Sequence, residues 1–485
     1  MNTRHRTRNT FTCTRIISLT ALGASASGAF SEVITVDDDG KADFASIQAA
    51  VDYASDGDEI LVAPGVYTSD HPAHVVDLLG KAITLRSSDG PEVTFIDGEG
   101  ARRGIACFNG EAADTLIKGF TIENGFAAWI DYDGDGHDTF NESGGGMYNF
   151  SSSPTVINCR FENNWGEYGG GIFNRESSPT LQYCIFNDNS AEYAGGAIYG
   201  KESSLSLDTC TVRGNTSTGW YSYQNGGGGI HSSSGIATLT DCLFEDNSAN
   251  YYGGGLHSSH SSTATLTNCT FRNNMADWGG GTTCSGGTAT LVDCTFTENS
   301  ASGDSGSGGG MHGIETTLTL IDCTFMNNVA DWGGGLSSWG SSTLHGCTLT
   351  GNSSNYIGGG ILNAANEGIL TLDNCVLQNN NSAFFGAGLG NHQSTIPVLT
   401  DTTICENTPD QIDGDWIDSG GNTVRDNCIS DCFFDFNDDG VVDGYELTLI
   451  LGAWGTDDPT ADIIEDGIVD GNDLTIILAS WGACP

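Results

Sequence analysis

The sequence predicts an all-β solenoid of stacked coils followed by a small α-helical module. Three observations predict it: a cysteine-centred unit that recurs through the middle of the chain, 69 glycines in 485 residues, and an abrupt change of composition after Cys428. Glycine at this level, set against only 16 lysines plus arginines, argues against an ordinary helical enzyme and favours turns and stacked coils.

The first element is a leader. Residues 1–29 carry Arg4, Arg6, Arg8 and Arg15, no acid, the apolar run IISLTALGA and the small residues ASASGA. This resembles a secretory signal peptide cleaved after Ala26 or Ala29, the alternative being a basic N-terminal tail. Without those four arginines, 12 basic residues face 62 acids, a formal charge of −50. Such a surface repels nucleic acid and anionic membrane, and it favours divalent cations and an ion-rich extracellular setting. No later segment reaches the roughly 18 to 20 apolar residues of a membrane span. A secreted or cell-surface location is expected.

The second element is the repeat. INCRFENN, QYCIFNDN, DTCTVRGN, TDCLFEDN, TNCTFRNN, VDCTFTEN, IDCTFMNN, HGCTLTGN and DNCVLQNN place Cys159, Cys184, Cys210, Cys242, Cys269, Cys294, Cys323, Cys347 and Cys375 at intervals of 24 to 32 residues. A strand-like unit at this period is the mark of a solenoid. Two residues after each cysteine stands Phe or another apolar residue, so both share one face of a short strand. Five residues after it stands an asparagine, from Asn164 to Asn380, suited to an amide ladder running from coil to coil. Asn, Asp or Gly usually precedes the cysteine, residues that tolerate a left-handed bend. A short loop and GGG with one apolar residue complete a unit read as three strands and three turns. The cysteines read as a stack of small buried hydrophobes; inter-coil disulfides are the alternative, although an odd number cannot pair completely.

Over 33–425 this pattern resembles the right-handed parallel β-helix of the pectin-lyase-like class. ITVDDDGKADFASIQAAVDYASDGDEILVAPGVYT is similar to the opening of such proteins, in which a short helix, here around SIQAAVDYA, covers the open end. The FxxN and GGAI pairing also resembles the passenger repeats of chlamydial polymorphic outer membrane proteins, but no alternating β-barrel segment follows. The resemblance implies polysaccharide as the partner class. Its lyase branch implies a basic residue that removes a proton beside a uronate, with calcium neutralising the carboxylate. Arg175 and Lys201, in GIFNRESS and AIYGKESS, are the best pair for that task, and a paired-charge surface explains them equally well. No aspartate constellation resembles those of polygalacturonases or pectin methylesterases, and fold alone does not supply the reaction.

Two further rows follow from the repeat. Aromatics recur just before the glycines: Tyr168, Tyr193, Tyr251, Trp278, Trp332, Tyr356 and Phe384. Aligned, they form a strip about 30–40 Å long at the coil spacing, able to stack on sugar faces or to close a loop over the core. Tyr193, Tyr251, Trp278, Trp332 and Tyr356 are the glycan-binding candidates. After the glycines come Tyr148, Phe173, Tyr199, His231, His257 and His312. The imidazoles suit acid–base or metal chemistry, and a solvent-facing polar row is the expected arrangement.

The third element, residues 431–485, holds two similar units 27 residues apart. In the first, Asp435, Asn437, Asp439, Asp443 and Glu446 occupy positions 1, 3, 5, 9 and 12 of a calcium loop, with the Val441 carbonyl at 7. In the second, Asp462, Asp466, Asp470 and Asp473 match, with the Ile468 carbonyl at 7 and Ile464 in place of an oxygen donor at 3. Leu447, Ile450, Leu451 and Trp454, then Leu474, Ile477, Leu478 and Trp481, form helical faces expected to pack on each other. This EF-hand-like duplication resembles a dockerin type I module, which implies calcium as cofactor and a cohesin-like partner. Gly444, Tyr445, Gly471 and Asn472 depart from the Ser/Thr pairs that commonly read that partner. Cys432 and Cys484 bracket the module and are expected to form a disulfide, with Cys405 and Cys428 as a second candidate pair. A third loop, DYDGDGHDTFNE, offers Asp131, Asp133, Asp135, the His137 carbonyl and Glu142 at calcium spacing without an exit helix.

The expectation is a secreted calcium-binding β-helix protein that binds extracellular polysaccharide or cell-surface glycan and docks through its tail. A polysaccharide lyase or glycoside hydrolase, and an adhesin-like structural surface protein, are the alternatives.

Overall fold

The computed structural model describes residues 31–127, 142–219, 225–303, 305–365, 368–392, 395–428, 434–437, 441–464 and 466–483. The leader, the pair Cys432 and Cys484, Asp439, and the loop ligands Asp131, Asp133, Asp135 and His137 lie outside them.

Short strands run from Val33–Val36 to Thr423–Arg425. They pair in parallel between successive coils in sheets of 26, 14 and 9 strands. The 14-stranded sheet takes one strand from each coil, so the solenoid has 14 coils. Helix α1 (Ile47–Tyr53), capped by Ser46, buries Ile47, Ala50 and Val51 against the first coils.

Central coils carry four strands where the sequence reading expected three. One coil comprises Ile172–Arg175, Thr180–Gln182, Ile185–Asn187 and Ser190–Ala194. The extra strand follows the asparagine, in the stretch read as a loop. The chain bends twice around each cysteine unit, at the residue before the cysteine (Asn158 φ 50°, Tyr183 φ 55°) and at the residue before the asparagine (Asn163 φ 54°, Asp188 φ 52°). The second bend turns the following residues onto a new face, where they pair with the next coil. In two coils the strand after the glycines runs on unbroken, as Met311–Ile321 and Leu336–His345.

Identical residues stack in register. Phe244, Phe271, Phe296 and Phe325 lie ring on ring at 4.6, 4.9 and 4.6 Å, within 7° of parallel; such pairs add about 0.5–1.5 kcal/mol each beyond their burial. The ladder cysteines are buried and free, as expected of small core residues. From Asn164 to Asn380, each amide Nδ2 donates to the next asparagine Oδ1 at 2.9–3.0 Å. The same Nδ2 donates to a carbonyl of the preceding coil, as Asn189 does to Phe161 at 2.8 Å. Asn407 continues the ladder one coil past the last cysteine unit, where Thr402 fills the cysteine position.

The GGG triplet is a packing requirement. Gly279 has φ +67°, and a Cβ on Gly280 would lie 2.5 Å from the carbonyl oxygens of both Ser300 and Gly309. Any side chain would force the coils apart.

Beyond the last coil, a disulfide joins Cys405 to Cys428 with Cα atoms 5.1 Å apart. Helices α2 (Gly444–Gly452) and α3 (Gly471–Ala479) follow, with a small core of Val442, Ile450, Ala461, Val469 and Ile477. The expected interhelical faces are only partly used. Leu451, Trp454, Leu478 and Trp481 are about half exposed, because so small a core takes one residue per turn, Glu446 with Ile450 and Asp473 with Ile477. Among the described residues no helix is long and apolar enough to cross a membrane.

Candidate functional site

The row after the glycines is in register from Tyr148 through Phe173, Tyr199, His231, His257, Thr283 and His312 to Ser337 and Leu362. It is buried throughout, which corrects the expectation of a solvent-facing row: His231 and His257 are fully covered and His312 is 4% exposed. Rings of the aromatic strip pack on it, Tyr168 on Tyr199 at 4.9 Å and Tyr252 on His257 at 5.0 Å, and Phe173 and Tyr199 at the same position belong to a buried cluster. His231 Nε2 shares a hydrogen bond with Ser259 Oγ at 2.8 Å, while Nδ1 of His231, His257 and His312 has no partner among the described residues. Burial pushes His231 and His312 down to about 3 and His257 well below its ordinary value, with His231 adding to that effect. The imidazoles are therefore neutral at physiological pH.

Beside this row runs the aromatic strip. Its backbone row is Tyr252, Trp278, Ser307, Trp332, Ile357 and Phe385. Tyr252 thus holds the position read for Tyr251, and Tyr251 packs edge-on to it at 4.7 Å. Tyr193 lies 5.2 Å from Tyr168 in the earlier coils. Trp332, Tyr356 and Phe384 form a stacked staircase at 4.8 and 5.9 Å, with Tyr356 and Phe384 exposed. Mutual stacking and an exposed aromatic surface are both present along the strip, with Tyr193, Tyr356 and Phe384, like Tyr251, each one residue before the backbone row, which passes through Ala194, Ile357 and Phe385.

Ser307 interrupts the row and thereby opens a cleft. Where neighbouring coils carry indoles, this coil carries a small hydroxyl, leaving a gap two coil spacings wide, about 9–10 Å, between Trp278 and Trp332. The cleft holds about 430 Å³ and is lined by Tyr252, Trp278, His312, Trp332, Trp339 and His392, with Ile314 and Leu362 beneath. Its size falls in the roughly 300–1,000 Å³ range of small-ligand sites. Two of the rings are held by hydrogen bonds: Trp278 Nε1 donates to Ser305 O at 3.1 Å and Trp339 Nε1 to Ser337 Oγ at 3.1 Å, while Ser307 Oγ donates to Ser337 Oγ at 2.8 Å. His312 sits between Trp278 and Trp339, at 6.3 and 6.2 Å.

Sequence reasoning missed Trp339 and His392. Trp339 occupies the row of Arg175, Lys201, Ser233, Ser259, Ser285 and Ile314, whose residue type changes from coil to coil. Strict alignment of the coils on their glycines would have shown a lone indole there. His392 meets Trp332 at 5.6 Å from a coil that lacks the cysteine unit.

Arg175 and Lys201 are neighbours in register, as expected. Arg175 lies over the Phe150 ring at 5.3 Å and 3.8 Å from the Glu176 carboxylate, which suits a paired-charge surface. An acidic group stands nearer the strip. Burial and the neighbouring Glu142 and Glu192 carboxylates push Glu167 up to about 7, and Glu167 N donates to Glu142 O at 2.6 Å.

In the tail, Glu446 and Asp473 are fully buried. Glu446 accepts from Phe436 N at 3.2 Å and Asp443 N at 2.8 Å. Asp473 accepts from Ile463, Ile464 and Asp470 N–H groups at 2.8, 3.2 and 2.8 Å. Burial would raise the Asp473 carboxyl, but these N–H groups hold it below its ordinary value. Asp462 accepts from Gly467 N at 2.7 Å. Gly467 takes φ +90° at the bend. Buried carboxylates with no basic residue after Arg425 in the sequence match the donor chemistry of calcium. Among the described residues, however, no three carboxylates close into a ligating group, and both position-12 side chains are turned to backbone N–H groups.

A solenoid of parallel strands bearing an aromatic cleft defines a β-helix protein. The model of the right handed beta helix region family matches residues 79–226 and 208–354, more than half of the chain, and the protein belongs to that family. No curated protein matches the sequence. Among solved structures it is similar to a pectin methylesterase from carrot (13% identity, 66% of this chain and 83% of that one, TM-score 0.30). It is also similar to the A-module of the Azotobacter vinelandii mannuronan C-5 epimerase AlgE6 (14%, 78% and 92%, 0.34). A third similarity is to a mannuronic acid-specific polysaccharide family 6 lyase from human gut microbiota (10%, 76% and 87%, 0.35). Similarities at this level carry nothing about activity, and the fold rests on the strand pairing itself.

Proposed function

We propose that the protein is a secreted or surface-attached polysaccharide binder whose ligand lies in the cleft between Trp278 and Trp332. One observation carries this reading: between the indoles Trp278 and Trp332 the row of rings is broken at Ser307, and hydrogen bonds hold the Trp278 and Trp339 indoles beside the gap. Aromatic faces at that spacing, with hydroxyl and imidazole groups between them, suit the alternating apolar and polar surfaces of pyranose rings. The tail is the docking element. Leu451 with Trp454 and Leu478 with Trp481 repeat the same exposed apolar pair, and calcium at the two loops would order them for a cohesin-like protein or another surface.

The test is retention of the purified protein on immobilised polysaccharides, alongside Trp332→Ala. Retention by the wild type without released products, lost in the variant, is expected; equal retention of both would sink the reading.

A second reading, a polysaccharide-cleaving enzyme, is favoured by Glu167. A carboxyl group titrating near neutrality can act as a general acid. Released oligosaccharides that disappear with Glu167→Gln, while binding persists, would establish cleavage; absence of products from the wild type on every polysaccharide bound would exclude it.

A further inference from the structure

The cleft is poor in positive charge, and that decides which sugars it can hold. The sequence contains no lysine or arginine between Arg272 and Arg425, whereas the cleft is built by residues from Tyr252 to His392. Arg272, at the border, belongs to the phenylalanine-bearing strand Thr270–Arg272 of another sheet and is paired with Glu245. Arg213 is likewise engaged, at 3.5 Å from both Glu245 and Asp246.

A carboxylate stands at the edge of the cleft instead: Asp331 immediately precedes the Trp332 wall and accepts from the lining residue Ser305. Asp331 is held by Asn355 Nδ2 at 2.7 Å and Ser305 N at 3.2 Å, so its carboxylate is fixed beside Trp332. A uronate brought between the walls would meet the like charge of Asp331 and find no guanidinium or ammonium partner, whereas a sugar hydroxyl would find an acceptor in the same carboxylate. His312, kept neutral by its burial, supplies no compensating charge.

We infer that the cleft takes an uncharged glycan, a run of neutral pyranose units stacked between Trp278 and Trp332, and that it discriminates against uronates. This rests on the reading of the cleft as a polysaccharide site.

The experiment compares the full chain on soluble neutral polysaccharides (β-glucan, mannan, xylan) with polygalacturonate and alginate. Affinity electrophoresis at pH 8, above the ordinary imidazole range, is run once with EDTA and once with calcium. Expected is binding of at least one neutral polymer in EDTA, with affinity reduced roughly ten-fold or more in Trp332→Ala. Trp339→Ala, at an exposed position, should weaken the same binding and keeps the test valid if Trp332→Ala fails to fold. Binding of the uronate polymers in preference to the neutral ones, with or without calcium, would overturn the inference and leave the polysaccharide reading standing. Binding of none would overturn both, and neutral binding unaffected by either variant would place the glycan elsewhere and overturn the inference.

Discussion

Two buried polar rows run along the solenoid, asparagines from Asn164 to Asn407 and histidines from His231 to His312, and they are built to opposite standards. The asparagine ladder uses its hydrogen-bonding capacity: Asn274, for example, donates to Phe244 O and Asn299 Oδ1 and accepts from Asn247 through both N and Nδ2. Among the described residues, the row of His231, His257 and His312 leaves a ring nitrogen of each residue without a partner. A satisfied buried network stabilises and needs no further explanation, whereas an unsatisfied one is retained at a cost. The first row holds the coils in register. The second forms the wall behind the aromatic cleft, where the fold keeps neutral, incompletely paired imidazoles.

Breaking the ladder should have the largest effect. Asn274→Ala takes the acceptor from Asn247 N and the side-chain donor from Phe244 O, both in the preceding coil, and one of two donors from Asn299 Oδ1, so we expect about 2–5 kcal/mol of destabilisation by denaturant unfolding. A loss below about 1 kcal/mol would show that water replaces the amide and that the contrast between the rows is false.

The imidazole row should instead respond to pH. With folded values depressed from 6.5 to about 3 at His231 and His312, the unfolded chain binds protons in this window that the native state does not. Stability therefore falls as pH is lowered from about 6.5 towards 3 and is unaffected by these groups above 6.5. His231→Phe continues the Tyr148, Phe173 and Tyr199 ring stack and should flatten that dependence while leaving stability at pH 7.5 within about 1.5 kcal/mol. An unaltered pH profile of the unfolding midpoint would contradict the burial argument.

In the tail, Asp473→Ala strips three N–H groups of their acceptor and is expected to cost about 1–3 kcal/mol in α3 and its loop, with lower calcium stoichiometry and an unchanged solenoid transition in calorimetry. Equal calcium binding by variant and wild type would remove the metal from the second loop. At the smallest end, Trp339→Ala should leave the unfolding midpoint within the equivalent of about 0.5 kcal/mol even though it weakens glycan retention, since its ring is 45% exposed. The ladder cysteines should resist alkylation until the chain unfolds, because burial pushes thiols such as Cys159 up; labelling in native buffer would show that the coils open.

Much of the molecule was legible from one dimension. A repeat of Cys, Phe and Asn at fixed offsets, with glycines too crowded for any Cβ, can be satisfied only by stacking like on like, so sequence alone determined the solenoid, its ladders and the bend before each cysteine. The helices of the tail were legible through the apolar spacing that follows each loop. Tertiary structure alone decided what each row faces. Whether His257 meets water, whether Leu451 meets Leu478, and whether Trp339 and His392 join Trp332 depend on how neighbouring coils and a small core fill space, and no periodicity in the chain encodes that. The cleft itself arises from a residue that is missing from a pattern: Ser307 becomes informative only when the coils above and below it place Trp278 and Trp332 on either side.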